Sequence, residues 1–161
     1  MKSSFIHKDS PGVVVPPPFL YVLIFLAAFL LQRWLLPLDD ALWQHMSVKV
    51  LGGAFCIAAF ALLVSAVTQF QRTHNTVVTV HRANSLQTTG VYHLTRNPMY
   101  LALLLLYAGL ACLVGGWWHL ILLPLLILIV QEFVIKHEEH YLEQAFGQQY
   151  QDYKRTTRRW L

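Results

Sequence analysis

The stretch MYLALLLLYAGLACLVGGWWHLILLPLLILIVQEFVI, residues 99–135, decides the fold; its one charged residue is Glu132. A bilayer core needs about 20 helical residues, with a range of roughly 17–25. The run is too long for a single crossing and is interrupted once, at Gly115-Gly116-Trp117-Trp118. That interruption reads as a tight helical hairpin with an aromatic anchor at the membrane interface. Two crossings result, over about 99–114 and 118–135. Outward from them, two further apolar runs, 19–36 and about 48–70, are long enough to cross.

Composition agrees with four spans. Of 161 residues, 56% are hydrophobic and 12% charged, against about 25% charged in an ordinary soluble domain. A disordered chain, a nucleic-acid-binding arm and a secreted disulfide scaffold are excluded. Cys56 and Cys112 lie inside apolar runs and read as small core residues. The expected fold is an all-α integral membrane protein, a single membrane-embedded domain over 1–161. It has about four transmembrane helices plus a C-terminal amphipathic interfacial helix.

Charge sets the orientation. Ten of the twelve Lys and Arg residues fall before the first span, between spans two and three, or after span four. The opposite side carries Asp39-Asp40 and the uncharged Gly-Gly-Trp-Trp turn. Arg33 and Lys49, near span ends, can snorkel. Basic residues favour the cytoplasmic side, so both termini and the polar segments are expected there, in a bacterial inner membrane. The basic N-terminus is separated from the first span by Pro16-Pro17-Pro18 and shows no small-residue cleavage site, so the first run reads as a retained span.

Two polar segments remain, a loop over about 71–97 and a tail over 136–161. The loop ends in Gly90-Val91-Tyr92-His93-Leu94-Thr95-Arg96-Asn97-Pro98-Met99-Tyr100. Pro98 suits the first turn of span three. The unpaired N–H groups of that turn would seat an anion, and Arg96 adds a planar fork for a carboxylate or phosphate. The tail opens with Lys136-His137-Glu138-Glu139-His140, adjacent carboxylates at the exit of an apolar helix. Leu142, Phe146, Tyr150 and Tyr153 then follow helical spacing, which predicts a helix lying flat on the membrane, with Gly147 as its candidate break. Glu132, an ionisable group within a span, is a functional candidate by position.

Gly90-Val91-Tyr92, Arg96-Asn97-Pro98-Met99-Tyr100, Glu138-Glu139-x-x-Leu142, Phe146-Gly147-x-x-Tyr150-x-x-Tyr153 and Arg159-Trp160 occur in that order. This set resembles the isoprenylcysteine carboxyl methyltransferase family and its bacterial relatives. Membrane phospholipid N-methyltransferases are more distant kin. The resemblance covers about 76–161 and implies a membrane-embedded methyltransferase dependent on S-adenosylmethionine, with a lipophilic acceptor. It implies that Tyr92, Asn97, Pro98, Met99, Tyr100 and Glu138 bind the cofactor. Leu86 joins them, within a segment 84–87 that contributes backbone. Arg96 and Glu139 take catalytic roles, and Lys136, the basic residue nearest the glutamates, binds substrate. The bilayer and the acceptor are the partners; no nucleic acid and no metal is expected.

Two other readings compete. A non-catalytic membrane subunit or lipid-binding scaffold would keep the same fold. A membrane di-iron desaturase or hydroxylase is suggested by eight histidines, of which His74, His81, His93, His137 and His140 are expected on the polar side. Only His137 and His140 share a helix face.

Overall fold

The computed structural model describes residues 16–72 and 85–161, and all regular structure in them is helical. His74, Thr76, His81, Arg82 and Asn84 lie outside the described residues, as do Lys2, Lys8 and the lead-in before Pro16. Helix α1 (Pro17–Leu30) starts with proline at a position where its missing N–H costs nothing. It ends in a wide π turn, Leu31–Leu35. A short 3-10 turn, Ala41–Gln44, leads into α2 (Met46–Arg72). A single helical turn, α3 (Val91–Leu94), precedes α4 (Pro98–Val114). Then come α5 (Trp117–Val130), a second π turn (Gln131–Ile135), α6 (Lys136–Phe146) and α7 (Gln148–Thr156).

Three helices are long and apolar enough to cross a membrane: Pro17–Leu35, Met46–Gln69 and Trp117–Phe146. The fourth apolar helix, Pro98–Val114, has 17 residues, the lower bound for a crossing. The protein is thus an all-helical membrane protein, and each expected span is a helix within two residues of its expected bounds, save at the end of the last.

That last helix continues without a break. Nothing in Gln131–Lys136 stops it, and Trp117–Phe146 is one helix of 30 residues. At 1.5 Å per residue it is about 45 Å long, longer than the roughly 30 Å hydrocarbon core. Glu138 and Glu139 therefore emerge at the edge of the apolar layer. The amphipathic tail is helical, as expected, in two pieces. It runs straight on to Phe146, turns at Gly147, and α7 folds back so that Tyr150 and Tyr153 are buried against the protein.

Between apolar helices in lipid, close packing replaces the hydrophobic drive. Helix α2 packs most extensively on α4. The approach is tight because Gly109 has no side chain: a Cβ there would stand 2.6 Å from Cys56 Sγ and 2.8 Å from the Gly52 carbonyl oxygen. Cys112 is buried and Cys56 half-buried along the same seam, as core residues. On the other flank α1 packs on α5 and α4. Tyr21, Tyr100, Tyr107, Leu126, Val130, Val134 and Ile135 form the core there.

The two ends of the bundle differ. At the turn end, Gly115-Gly116 joins α4 to α5, and Trp118 Nε1 donates to the Leu36 carbonyl at 2.7 Å. Lys49 Nζ donates to the Leu113 carbonyl at 2.6 Å, a cation closing the C-terminal end of α4. At the other end, α3, the start of α4, α6 and the tail converge.

Candidate functional site

Gly90 sets up this end. Its φ of 60° and ψ of −129° are open to glycine and strained for other residues. Tyr92 N–H closes the turn onto the Thr89 carbonyl at 3.2 Å. Gln69, on the last turns of α2, holds the turn by donating from Nε2 to the Thr89 carbonyl and hydroxyl oxygens, both at 2.6 Å. The outcome is a buried Tyr92 facing the tail: Tyr153 donates its hydroxyl to the Tyr92 carbonyl at 2.5 Å. Burial pushes the Tyr153 phenol up to about 12 and raises that of Tyr92 as well, so both stay neutral.

Pro98 begins α4 as expected, and Asn97 stands at the cap position. Asn97 does not cap the helix with its side chain. Its Nδ2 donates instead to the Arg159 carbonyl at 2.9 Å, and the Thr95 hydroxyl donates to the same oxygen at 3.1 Å. Arg96 N–H donates to the Arg158 carbonyl at 2.9 Å. The residues after α7 are thus strapped onto the segment before α4.

Two carboxylates meet this segment. Tyr100, in the first turn of α4, donates its hydroxyl to Glu138 Oε1 at 2.6 Å. Glu138 is half-buried and, among the described residues, has no cationic partner. Tyr21, from α1, donates to the Tyr100 backbone carbonyl at 3.2 Å. Glu139 is buried and engaged by two arginines. Arg159 grips it with Nε to Oε1 at 3.0 Å and Nη2 to Oε2 at 2.5 Å. Arg96 Nη2 reaches Oε1 at 3.2 Å. The hydrogen bond to Glu139 holds the Arg159 guanidinium above its ordinary value.

One carboxylate therefore serves two guanidinium groups. The Arg96 side chain is only 10% exposed, and its Nε and Nη1 are buried without a hydrogen-bond partner. Leaving charged donors unpaired in a buried place is costly. The unpaired N–H donors of these two nitrogens, beside the start of a helix, suit a carboxylate or phosphate.

Of the expected site residues, Tyr92, Arg96, Asn97, Pro98, Tyr100, Glu138 and Glu139 come together here. Met99 is half-buried in the same turn, and Leu86 is half-buried on the approach to Gly90. Lys136 stands apart, half-exposed and paired with Glu132 at 2.6 Å one turn back. That pairing also gives Glu132 an exposed, compensated place. His93, His137 and His140 are exposed. Four contributors were missed: Tyr21, Thr95, Tyr153 and the Arg159 guanidinium. One signal was available. A helical stripe that carries Tyr rather than Leu wants a polar partner for each hydroxyl, which favours protein over lipid for Tyr150 and Tyr153.

Comparison with known proteins follows the same residues. The profile of a family described as phospholipid methyltransferase matches residues 47–149, well over half of the chain. An uncharacterized protein of Haemophilus influenzae is 40% identical over 63 residues, which are 39% of this chain and the whole of that protein. No solved structure matches.

Proposed function

The chain belongs to the phospholipid methyltransferase family, and on that premise we propose that it methylates a lipophilic acceptor with S-adenosylmethionine. The observation that carries this reading is the joint placement of the Tyr100–Glu138 pair and the half-paired Arg96 at one end of a membrane helix bundle.

The residues fit such a cofactor. S-adenosylmethionine supplies, when bound, a methyl carbon already activated by a sulfonium, together with hydroxyl, ammonium and carboxylate groups. Glu138, steadied by the Tyr100 hydroxyl, accepts hydrogen bonds from hydroxyl or ammonium donors. Arg96 and the open first turn of α4 receive an anionic group, from the cofactor or from the acceptor. Tyr92, Asn97, Pro98, Met99 and Leu86 line the approach. Glu139, engaged on both oxygens, orients Arg96. The protein's contribution to an in-line displacement is position and electrostatics.

The finer reading is a carboxyl O-methyltransferase of the isoprenylcysteine type, in a bacterial inner membrane with this end in the cytoplasm. A carboxylate acceptor is a nucleophile at neutral pH and needs no base, and a planar guanidinium fork suits it. An amine acceptor would need a base, for which His93, His137 and His140 are the exposed imidazoles nearby in sequence. Lys136 serves as an outer contact for an anionic head group.

The test is S-adenosylmethionine binding to detergent-purified, lipid-supplemented protein by calorimetry, with S-adenosylhomocysteine as competitor. Saturable, competed binding that weakens in Glu138→Gln is expected. No binding by folded protein overturns the reading. Transfer of labelled methyl groups into a membrane lipid extract then separates carboxylate from amine acceptors by the alkali lability of the product.

A further inference from the structure

The paired arginines carry a second conclusion, which rests on the reading of this end as the methyl-transfer site. Glu139 offers two oxygens. Arg159 takes both, side-on, through Nε and Nη2. Arg96 is left with one longer contact to an oxygen already in use. A guanidinium and a carboxylate left alone prefer a two-bond fork, so without Arg159 the Arg96 group would turn onto Glu139 and spend its donors there. We infer that Arg159 is a positioning residue: by occupying Glu139 it keeps Arg96 Nε and Nη1 free to bind the anionic group, carboxylate or phosphate, of a ligand.

The placement of Arg159 is itself specified. Its carbonyl accepts from both Asn97 Nδ2 and the Thr95 hydroxyl. Its neighbours Arg158 and Trp160 are tied to the Arg96 N–H and, at 3.4 Å, to Gln131 Oε1. The side chains on both sides of Arg96 thereby hold the Arg159 carbonyl, the Arg96 N–H holds that of Arg158, and the two guanidinium groups meet one carboxylate from different parts of the chain. Arg159 lies beyond residues 47–149. It reaches no ligand in this account; it acts on Arg96 through Glu139.

The test is a double-mutant cycle read by calorimetry, with thermal melting in detergent as a check that each variant is folded. Two probes separate the sources of the anion: S-adenosylhomocysteine, which carries the cofactor's carboxylate, and dihexanoyl phosphatidylethanolamine, which carries a lipid phosphate. Arg159→Ala should weaken one of them by on the order of tenfold, since a charged hydrogen bond is lost when Arg96 turns away. Arg159→Ala combined with Glu139→Gln removes the competing carboxylate and should recover most of that loss. Arg159→Lys keeps the charge without the fork and should fall between wild type and Arg159→Ala. The affected probe names the source.

A purely structural role for Arg159 predicts a double variant no better than Arg159→Ala, and that result overturns the inference. So does Arg159→Lys binding as wild type, which would reduce the residue to a charge, and so does an unchanged affinity for both probes. Failure of the wild-type protein to bind S-adenosylhomocysteine at all is a different outcome, and it overturns the proposed function instead.

Discussion

Both ends of the bundle bury polar atoms that no hydrogen bond reaches. At the turn end these are Gln32 Oε1, Trp43 Nε1 and His119 Nε2; at the site end they are Arg96 Nε and Nη1. The first three belong to neutral groups, two of which have satisfied their other polar atom: Gln32 Nε2 on the Leu38 carbonyl at 2.7 Å, and His119 Nδ1 against the Gly116 carbonyl at 3.3 Å. A neutral orphan costs about 1–3 kcal/mol, which a well-packed helix hairpin tolerates. A half-paired buried guanidinium costs more, and here the surrounding chain is tied down by six hydrogen bonds and ion pairs that hold it so. The turn end is closed by its own contacts; in the proposed function the site end is completed by a ligand.

Removing Glu139 tests this hardest. Glu139→Ala leaves Arg96 and Arg159 facing each other with no carboxylate, and breaking a buried pair in this way costs about 3 kcal/mol or more. A large fall in melting temperature together with loss of cofactor binding is expected. A stable, binding-competent Glu139→Ala protein would show that the cluster is incidental. Next is Gly90→Ala. Its Cβ would stand 2.1 Å from Gln69 Oε1, and the backbone there is strained for any side chain, by about 1–3 kcal/mol. Calorimetry should show weaker cofactor binding, because Tyr92 moves with the turn.

Tyr100→Phe is gentler. It deletes the 2.6 Å hydrogen bond to Glu138, worth about 1.5–3 kcal/mol when one partner is charged, so a modest fall in melting temperature is expected, smaller than in Glu139→Ala, with weaker cofactor binding as Glu138 loses its support. The smallest effect is expected at the turn end. His119→Leu exchanges a fully buried imidazole with one unpaired nitrogen for an apolar side chain. Stability should change by no more than about 1 kcal/mol, and cofactor affinity should not change. A loss of binding in His119→Leu would erase the distinction between the two ends.

Much of this was legible in the sequence, and for a physical reason. Apolar runs of fixed length, a Gly-Gly interruption and Pro98 are local signals, and the helices follow them. The Gly90–Tyr100 segment and the Glu138-Glu139 pair were legible too, because turn chemistry and charge at a span exit are written in adjacent residues. What escaped is what depends on return of the chain. Tyr21 reaches Tyr100 across 79 residues and Tyr153 reaches Tyr92 across 61, and no pattern within one helix announces such a partner. The tail's helices were legible in their amphipathic spacing, whereas the surface that buries Tyr150 and Tyr153 was hinted at by the tyrosines without being named. Lys136 was assigned by proximity along the chain; its side chain pairs with Glu132 on the exposed face, a contact that spacing alone did not single out.

The wide turn Gln131–Ile135 sits immediately upstream of the two glutamates. A π turn holds one residue more than the α-helix around it, and each residue of an α-helix turns the chain by about 100°. Loss of a single codon between positions 131 and 135 would let that turn close as an ordinary α turn and leave Glu138 and Glu139 on the face that meets Tyr100 and Arg96. The membrane span would remain as apolar and become one residue shorter. The wide turn is thus slack in the helix: the span can lose a residue there while the site keeps its register.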